Sequence, residues 1–443
     1  IMARGHSLEY FIEGGRSRTG RLLQPKTGML AMTVRSFLRD PARPVMFLPV
    51  YFGYERIFEG STYIGELSGL PKEKESIFGL LRVLPRLKER FGKVHVNLGE
   101  PIELGQLLDG FDADWRTRSA DDYGRMPWVN AAVDELSRRI MRNINAAAVV
   151  TPVNLLAITL LATPRQTLPE ADLLRQLDLY KELLAAFPYS ARVIAPTMSS
   201  AQMIGYGEAL QMLTRQSHAL GDLVQMSDAA AKRATYFRNN VLHLFALPSL
   251  VACAFTSNAT MSTTDLCRLA RRIYPYIASE LFLRWPEEDV PSVVQGVLAA
   301  LAQYGLLEPN EDSTQWRRPP PTSAKAMQLS LLAQATIQTI ERYYLAVALL
   351  LQAGSDQISQ YALEERCQLL GQRMTMLYGF NSPEFFDRTM FEHFIDLLRA
   401  RGVVRIGEGG KLAFDDVLTQ VALDAQLVLQ EQMRHSILQI THA

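Results

Sequence analysis

The stretch YFIEGGRSRTGR, residues 10–21, sets Arg16, Arg18 and Arg21 on a turn that also holds Gly14, Gly15 and Gly20. Paired glycines let backbone N–H groups approach a ligand closely and permit positive φ. Arginine adds a planar, permanently charged donor fork that matches phosphate or carboxylate. The combination favours phosphate binding, with a solvated basic loop and a nucleic-acid contact as the alternatives. Residues 15–21 also read G-x-x-x-x-G-R, close to a P-loop, but Arg21 replaces the lysine and Leu22 stands where a Mg-binding Ser or Thr is needed. Those two positions argue against nucleotide hydrolysis.

Bulk charge points to no partner, since 46 Lys and Arg balance 46 Asp and Glu. Residues 1–43 nonetheless carry eight Lys/Arg against three Asp/Glu, so the turn sits in a local positive field. Cys253, Cys267 and Cys367 are scattered; they form neither a disulfide framework nor a metal-ligand pair, and suit a reducing compartment. No metal and no cofactor is indicated. A 48% hydrophobic, 21% charged composition is that of an ordinary globular protein, and 443 residues suggest two or three domains.

Such a turn needs a strand before it and a helix after it. LEYFIE (8–13) reads as a short strand, and 25–40 as a helix with Leu30, Val34, Phe37 and Leu38 on one face. Residues 44–55 read as a strand buried on both faces, 74–92 as a helix and 93–102 as a third strand. This alternation implies right-handed crossovers, hence an α/β portion over 1–115, a mostly parallel sheet with flanking helices.

From Pro127 the pattern becomes helix after helix, opening with the stripe Val129, Val133, Leu136, Ile140 and Ile144. A large all-α region is expected, parted by the proline-rich RRPPPT (317–322) into 116–316 and 323–443. No internal repeat is evident. Segments 149–164 and 240–255 approach but do not reach the length of an apolar span, and read as core helices or as helices lying in a membrane interface. Residues 263–313 and 394–414 resemble a winged-helix pattern. The candidate recognition helix, 291–305, holds no Lys or Arg, so nucleic acid is not an expected partner.

FIEGGRSRTGRLLQPKTG followed by RPVMFLPVYFGYE resembles the bacterial membrane-associated glycerol-3-phosphate acyltransferase family. Phe11, Glu13, Gly14, Gly15, Arg16 and Ser17 match its Phe-x-Glu-Gly-(Gly/Thr)-Arg-Ser block, and Pro44 to Tyr54 match its proline-containing strand block, with Pro49 in place. The similarity continues through KEKES, NLGEP, YFRNN, LPSL and ELFLRW. It implies acyl transfer from acyl-CoA or acyl-carrier protein to the sn-1 hydroxyl of glycerol 3-phosphate, giving lysophosphatidic acid. It assigns Glu13, Gly14, Gly15, Arg16, Ser17 and Arg18 to acceptor binding, with Arg21 and Lys26 adding to the field. Pro49, Tyr51 and Tyr54 either shape a pocket or pack in the core.

The family's general base is a His-x-x-x-x-Asp pair, and none of the seven histidines here has an aspartate five positions on. His95 with Glu100 is the nearest imitation; His218 with Asp222 and His393 with Asp396 read as structural. The resemblance therefore places the catalytic pair upstream and makes the chain a carboxy-terminal part, inactive alone. It also implies a peripheral location on a membrane surface, the cytoplasmic face of the bacterial inner membrane. The alternative is a non-catalytic phosphate- or lipid-binding helical scaffold.

Overall fold

The computed structural model describes residues 4–57, 92–117, 126–378, 383–425 and 427–441. Pro49 divides what reads as one strand. Lacking an N–H, it separates β1 (Met46–Phe47) from β2 (Val50–Tyr54), while its carbonyl accepts from Gly99 N at 2.8 Å. β2 pairs with β3 (Val94–Leu98), Val50 opposite Leu98, and β1 pairs with β4 (Ile102–Glu103). Both ladders are antiparallel, so in place of the parallel sheet expected over 1–115 the described residues of that portion form two antiparallel ribbons. Nor is β2 buried on both faces: Tyr51 and Gly53 point inward, whereas Phe52 and Tyr54 are exposed beside Val94, Val96 and Leu98. Apolar residues on both faces concealed an ordinary alternation. Residues 8–11 join no ladder, and the helix expected over 74–92 falls almost wholly outside the described residues.

α1 (Gly28–Arg39) buries Leu30, Val34, Phe37 and Leu38, as its spacing requires. They share a core with Leu107 and Leu108 of α2 (Leu104–Asp109), with Trp115, and with the Val129–Ile140 stripe of α3 (Pro127–Ala146). α3 has Pro127 at its first position, where a missing N–H costs nothing.

Beyond α3 one motif recurs. α4 (Pro152–Leu160) is followed by β5 (Thr167–Pro169), α5 (Glu170–Ala186), α6 (Ser200–Ala209), β6 (Thr214–Gln216) and β7 (Leu223–Gln225), then the long α7 (Asp228–Ser257). The order repeats as β8 (Thr260–Ser262), α8 (Thr263–Leu281), α9 (Val290–Gln303), β9 (Glu308–Pro309), β10 (Gln315–Arg317) and the long α10 (Ala324–Ala353). It repeats again as α11 (Gln360–Tyr378), α12 (Arg388–Ala400), β11 (Val404–Ile406), β12 (Leu412–Phe414) and α13 (Asp416–Ala425), before a final α14 (Glu431–Thr441). In the third unit the first strand shrinks to a bridge between Ser359 and Lys411.

Each unit's second helix ends on a left-handed residue, Gln211, Gly305 or Gly402. The next N–H then returns to the carbonyl five residues back, from Met212, Leu306 and Val403, each at 2.9 Å. That is the same Schellman closure three times. The expectation of no internal repeat is thus corrected.

α7 and α10 pack along one another at the centre of the main core. α7 has the length and apolarity to cross a membrane, but 83% of its most apolar window is buried against the protein. α4 is buried throughout, and Asn154, which interrupts its apolar run, completes a capping box with Thr151. In this fold both near-spanning segments are core helices.

Candidate functional site

The glycine–arginine turn is closed at its base by short-range bonds. Ile12 O accepts from Lys26 N at 2.8 Å, Phe11 O from Gly14 N at 3.0 Å, and Glu13 Oε2 from Leu23 N at 2.8 Å. Partial burial raises the Glu13 pKa, against the pull of the Leu23 hydrogen bond. One Glu13 oxygen is thereby committed to backbone, and a carboxylate would in any case repel a phosphate. Gly14 has φ +64, and a Cβ there would come within 2.8 Å of the Lys26 side chain. The glycine is needed for backbone shape.

Above this base the turn has two limbs. Gly14, Gly15, Arg16 and Arg18 are exposed and Ser17 is half-buried, its hydroxyl without a hydrogen-bond partner among the described residues. Thr19, Gly20 and Arg21 run inward. Thr19 O accepts from Asn239 Nδ2 and Gly20 O from Asn240 Nδ2, both at 2.8 Å. Gly20 has φ +79, and a Cβ on it would lie 2.2 Å from Tyr236 O, so the turn rests directly on the α7 backbone.

Arg21 is only 6% exposed and bonds Glu280 of α8, with Glu384 at 3.6 Å and Thr339 of α10 at 3.5 Å. Glu280 also accepts from Arg342 at 2.5 Å and from the Tyr343 hydroxyl at 2.7 Å, while Glu384 pairs with Arg238. Burial draws the Arg21 pKa down to about 10, still charged at neutral pH. Burial alone would raise the Glu384 pKa, but Arg238 and Arg21 hold it below the usual carboxylate range.

The outer limb lines a cavity of about 1680 Å³, shared with Pro49, Tyr51 and Tyr54. Glu13, Gly14, Gly15, Arg16 and Ser17 are all on its wall, and Gly20 and the buried Arg21 of the inner limb border it too; the exposed Arg18 is outside it. Tyr51 is buried, which raises its phenol pKa, and its ring belongs to the main core as well as to the cavity. More of the wall comes from residues the turn's sequence does not announce: Ile140, Ile144, Tyr236, Asn240, His243 and Leu281.

His243 is buried, its pKa lowered to about 4 by burial, so the neutral ring donates through Nε2 to Asn145 O at 3.1 Å. Three other histidines have protein partners, while His6 borders the cavity. His95 faces Glu55 at 3.4 Å rather than Glu100, His218 Nδ1 accepts from Leu220 N at 3.1 Å, and His393 bonds Ser279 at 3.0 Å. Among the described residues no cluster of His, Cys, Asp and Glu could hold a metal ion.

Residues 63–407 match the family described as the glycerol-3-phosphate acyltransferase C-terminal region, a match that begins beyond the turn. The similarity to curated relatives includes it. The chain is 46% identical over 441 residues to the glycerol-3-phosphate acyltransferase of Pseudomonas aeruginosa strain UCBPP-PA14, covering 99% of this chain and 53% of that protein. It is 45% identical to those of Pseudomonas fluorescens strain Pf-5 and Pseudomonas syringae pv. syringae strain B728a, each with the same two coverages. The chain thus spans about half the length of the curated relatives it matches. On the family match across most of its residues, the chain belongs to the glycerol-3-phosphate acyltransferase C-terminal region family.

Proposed function

We propose that this chain supplies the acceptor site of a glycerol-3-phosphate 1-O-acyltransferase, which moves a fatty acyl group from acyl-CoA or acyl-carrier protein to the sn-1 hydroxyl of glycerol 3-phosphate. The observation that carries the reading is the outer limb itself. It sets the exposed Arg16 and Ser17 on the wall of a large cavity, and the Ser17 hydroxyl has no hydrogen-bond partner among the described residues. A phosphate placed there gains charge-assisted hydrogen bonds from arginine and, once the Ser17 side chain turns outward, one from a hydroxyl with no partner among the described residues.

An alcohol attacks a thioester only once a base takes its proton. His243 does not fit that role, since it is buried, neutral and bonded to backbone. The base belongs to the His-x-x-x-x-Asp pair that the family resemblance places upstream. We also propose a peripheral location on the cytoplasmic face of the bacterial inner membrane, with contacts other than 149–164 and 240–255, both of which are taken up in the core.

The test is Arg16→Ala in the full-length protein. The KM for glycerol 3-phosphate should rise about tenfold, as expected for loss of one charge-assisted contact, with the acyl-donor KM little changed. An unchanged acceptor KM removes Arg16 from the site. The isolated chain should bind glycerol 3-phosphate without turning it over. A full-length protein that binds but never acylates would favour the non-catalytic scaffold.

A further inference from the structure

We propose that Asn239, Asn240 and Glu280 are positioning residues for the phosphate-binding turn, so that affinity for the acceptor is set from inside the helical region. The proposal rests on the reading of the turn as the glycerol 3-phosphate site. Two segments far apart in the chain, YFRNN on α7 and ELFLRW at the end of α8, converge on three consecutive residues of the turn. The adjacent amides of Asn239 and Asn240 each donate to one of two adjacent carbonyls, Thr19 O and Gly20 O. Asn239 reaches on to Glu384 Oε1 at 3.3 Å, tying the amide to the ion network. Glu280 holds the next residue, Arg21, with one carboxylate oxygen and spends the other on Arg342 and Tyr343.

Thr19 is two residues from Ser17 and three from Arg16. Backbone fixed that close leaves the outer limb few ways to turn its guanidinium. Short-range bonds fix the other end of the limb, at Phe11–Gly14 and Glu13–Leu23. A phosphate site gains from such preorganisation, because a displacement of about 1 Å in a binding group can cost up to about a hundredfold in rate. All three border the cavity, but none needs to touch the ligand for this. Their side-chain bonding is directed at the turn's backbone, Arg21 and the buried ion network.

The experiment compares Asn240→Ala and Glu280→Gln with Arg16→Ala in the full-length protein, reading both KM values, kcat and the melting temperature. Asn240→Ala and Glu280→Gln should raise the glycerol 3-phosphate KM about tenfold while kcat and the acyl-donor KM stay within about twofold. Glu280→Gln disturbs a buried charge and risks misfolding; Asn240 is only partly buried, so Asn240→Ala then carries the test. Unchanged acceptor KM in folded Asn240→Ala, with Arg16→Ala raised, overturns the positioning role and leaves the site reading standing. Unchanged acceptor KM in Arg16→Ala overturns the site reading instead. A parallel loss in kcat and both KM values, with a lower melting temperature, marks general structural damage and also overturns the positioning role.

Discussion

Two limbs of one turn put the same residue type to opposite uses. Arg16 is exposed at a cavity wall, while Arg21, five positions on, is buried among two carboxylates and two further guanidiniums. An exposed guanidinium stays within reach of a ligand. A buried one must have its counter-charges built in, because an unpaired interior charge costs several kcal/mol. Arg21, Arg238 and Arg342 face Glu280 and Glu384, an excess of one positive charge in the interior. What the pair teaches is that three arginines on a glycine turn need not be three ligands. One of them is the root by which the turn is anchored.

The largest effect should come from exchanging the two arginines for the same apolar residue. Arg21→Met should lower unfolding stability by about 3 kcal/mol in a denaturant titration, from lost charged hydrogen bonds. The full penalty of a broken buried pair is avoided, since Glu280 keeps Arg342 and Tyr343 and Glu384 keeps Arg238. Arg16→Met should stay within about 0.5 kcal/mol of the parent. Equal losses at the two sites would erase the distinction between limbs.

The join between the limbs gives the next effect. Gly20 combines φ +79 with the approach to Tyr236 O, so Gly20→Ala meets both a left-handed backbone penalty and a helix carbonyl that cannot give way. A loss of about 2 kcal/mol is expected, together with a raised acceptor KM as the turn lifts off α7. Gly15 is the control, for a Cβ there meets nothing within 4 Å. If Gly15→Ala and Gly20→Ala behave alike, the inner limb is not seated as described.

Much of this was legible in the sequence, and the rest failed for identifiable reasons. The helices at 28–39 and 127–146 follow from apolar spacing, and their buried faces are those the spacing names. Which arginine is buried was not legible, because the Glu280 that captures Arg21 lies 259 positions away. The likeness between the second and third units was readable where Gly305 and Gly402 close their helices. In the first unit Gln211 takes the left-handed position, and Pro169 stands before α5 where Ser262 caps α8. With both punctuation residues replaced, the geometry persists and the sequence signal does not. Strand direction failed for another reason: an apolar run says that residues are buried or sticky, not which neighbour they pair with.

The smallest effect concerns Arg18, which belongs to the exposed limb but is outside the cavity wall. If the outer limb acts only through its summed charge, Arg18→Ala and Arg16→Ala should raise the acceptor KM equally, and both effects should fade together as salt is added. If direct contact decides, Arg18 adds only a screened field from the surface, because exposed charges more than about 10 Å apart interact weakly at 0.1 M salt. We expect the second outcome, with a KM rise of no more than about twofold for Arg18→Ala, vanishing at high salt, and stability unchanged within about 0.5 kcal/mol. Steady-state kinetics of both variants at two ionic strengths measures this directly. An Arg18 effect as large as that of Arg16, and as resistant to salt, would mean that the ligand sits across the tip of the turn rather than against the cavity wall.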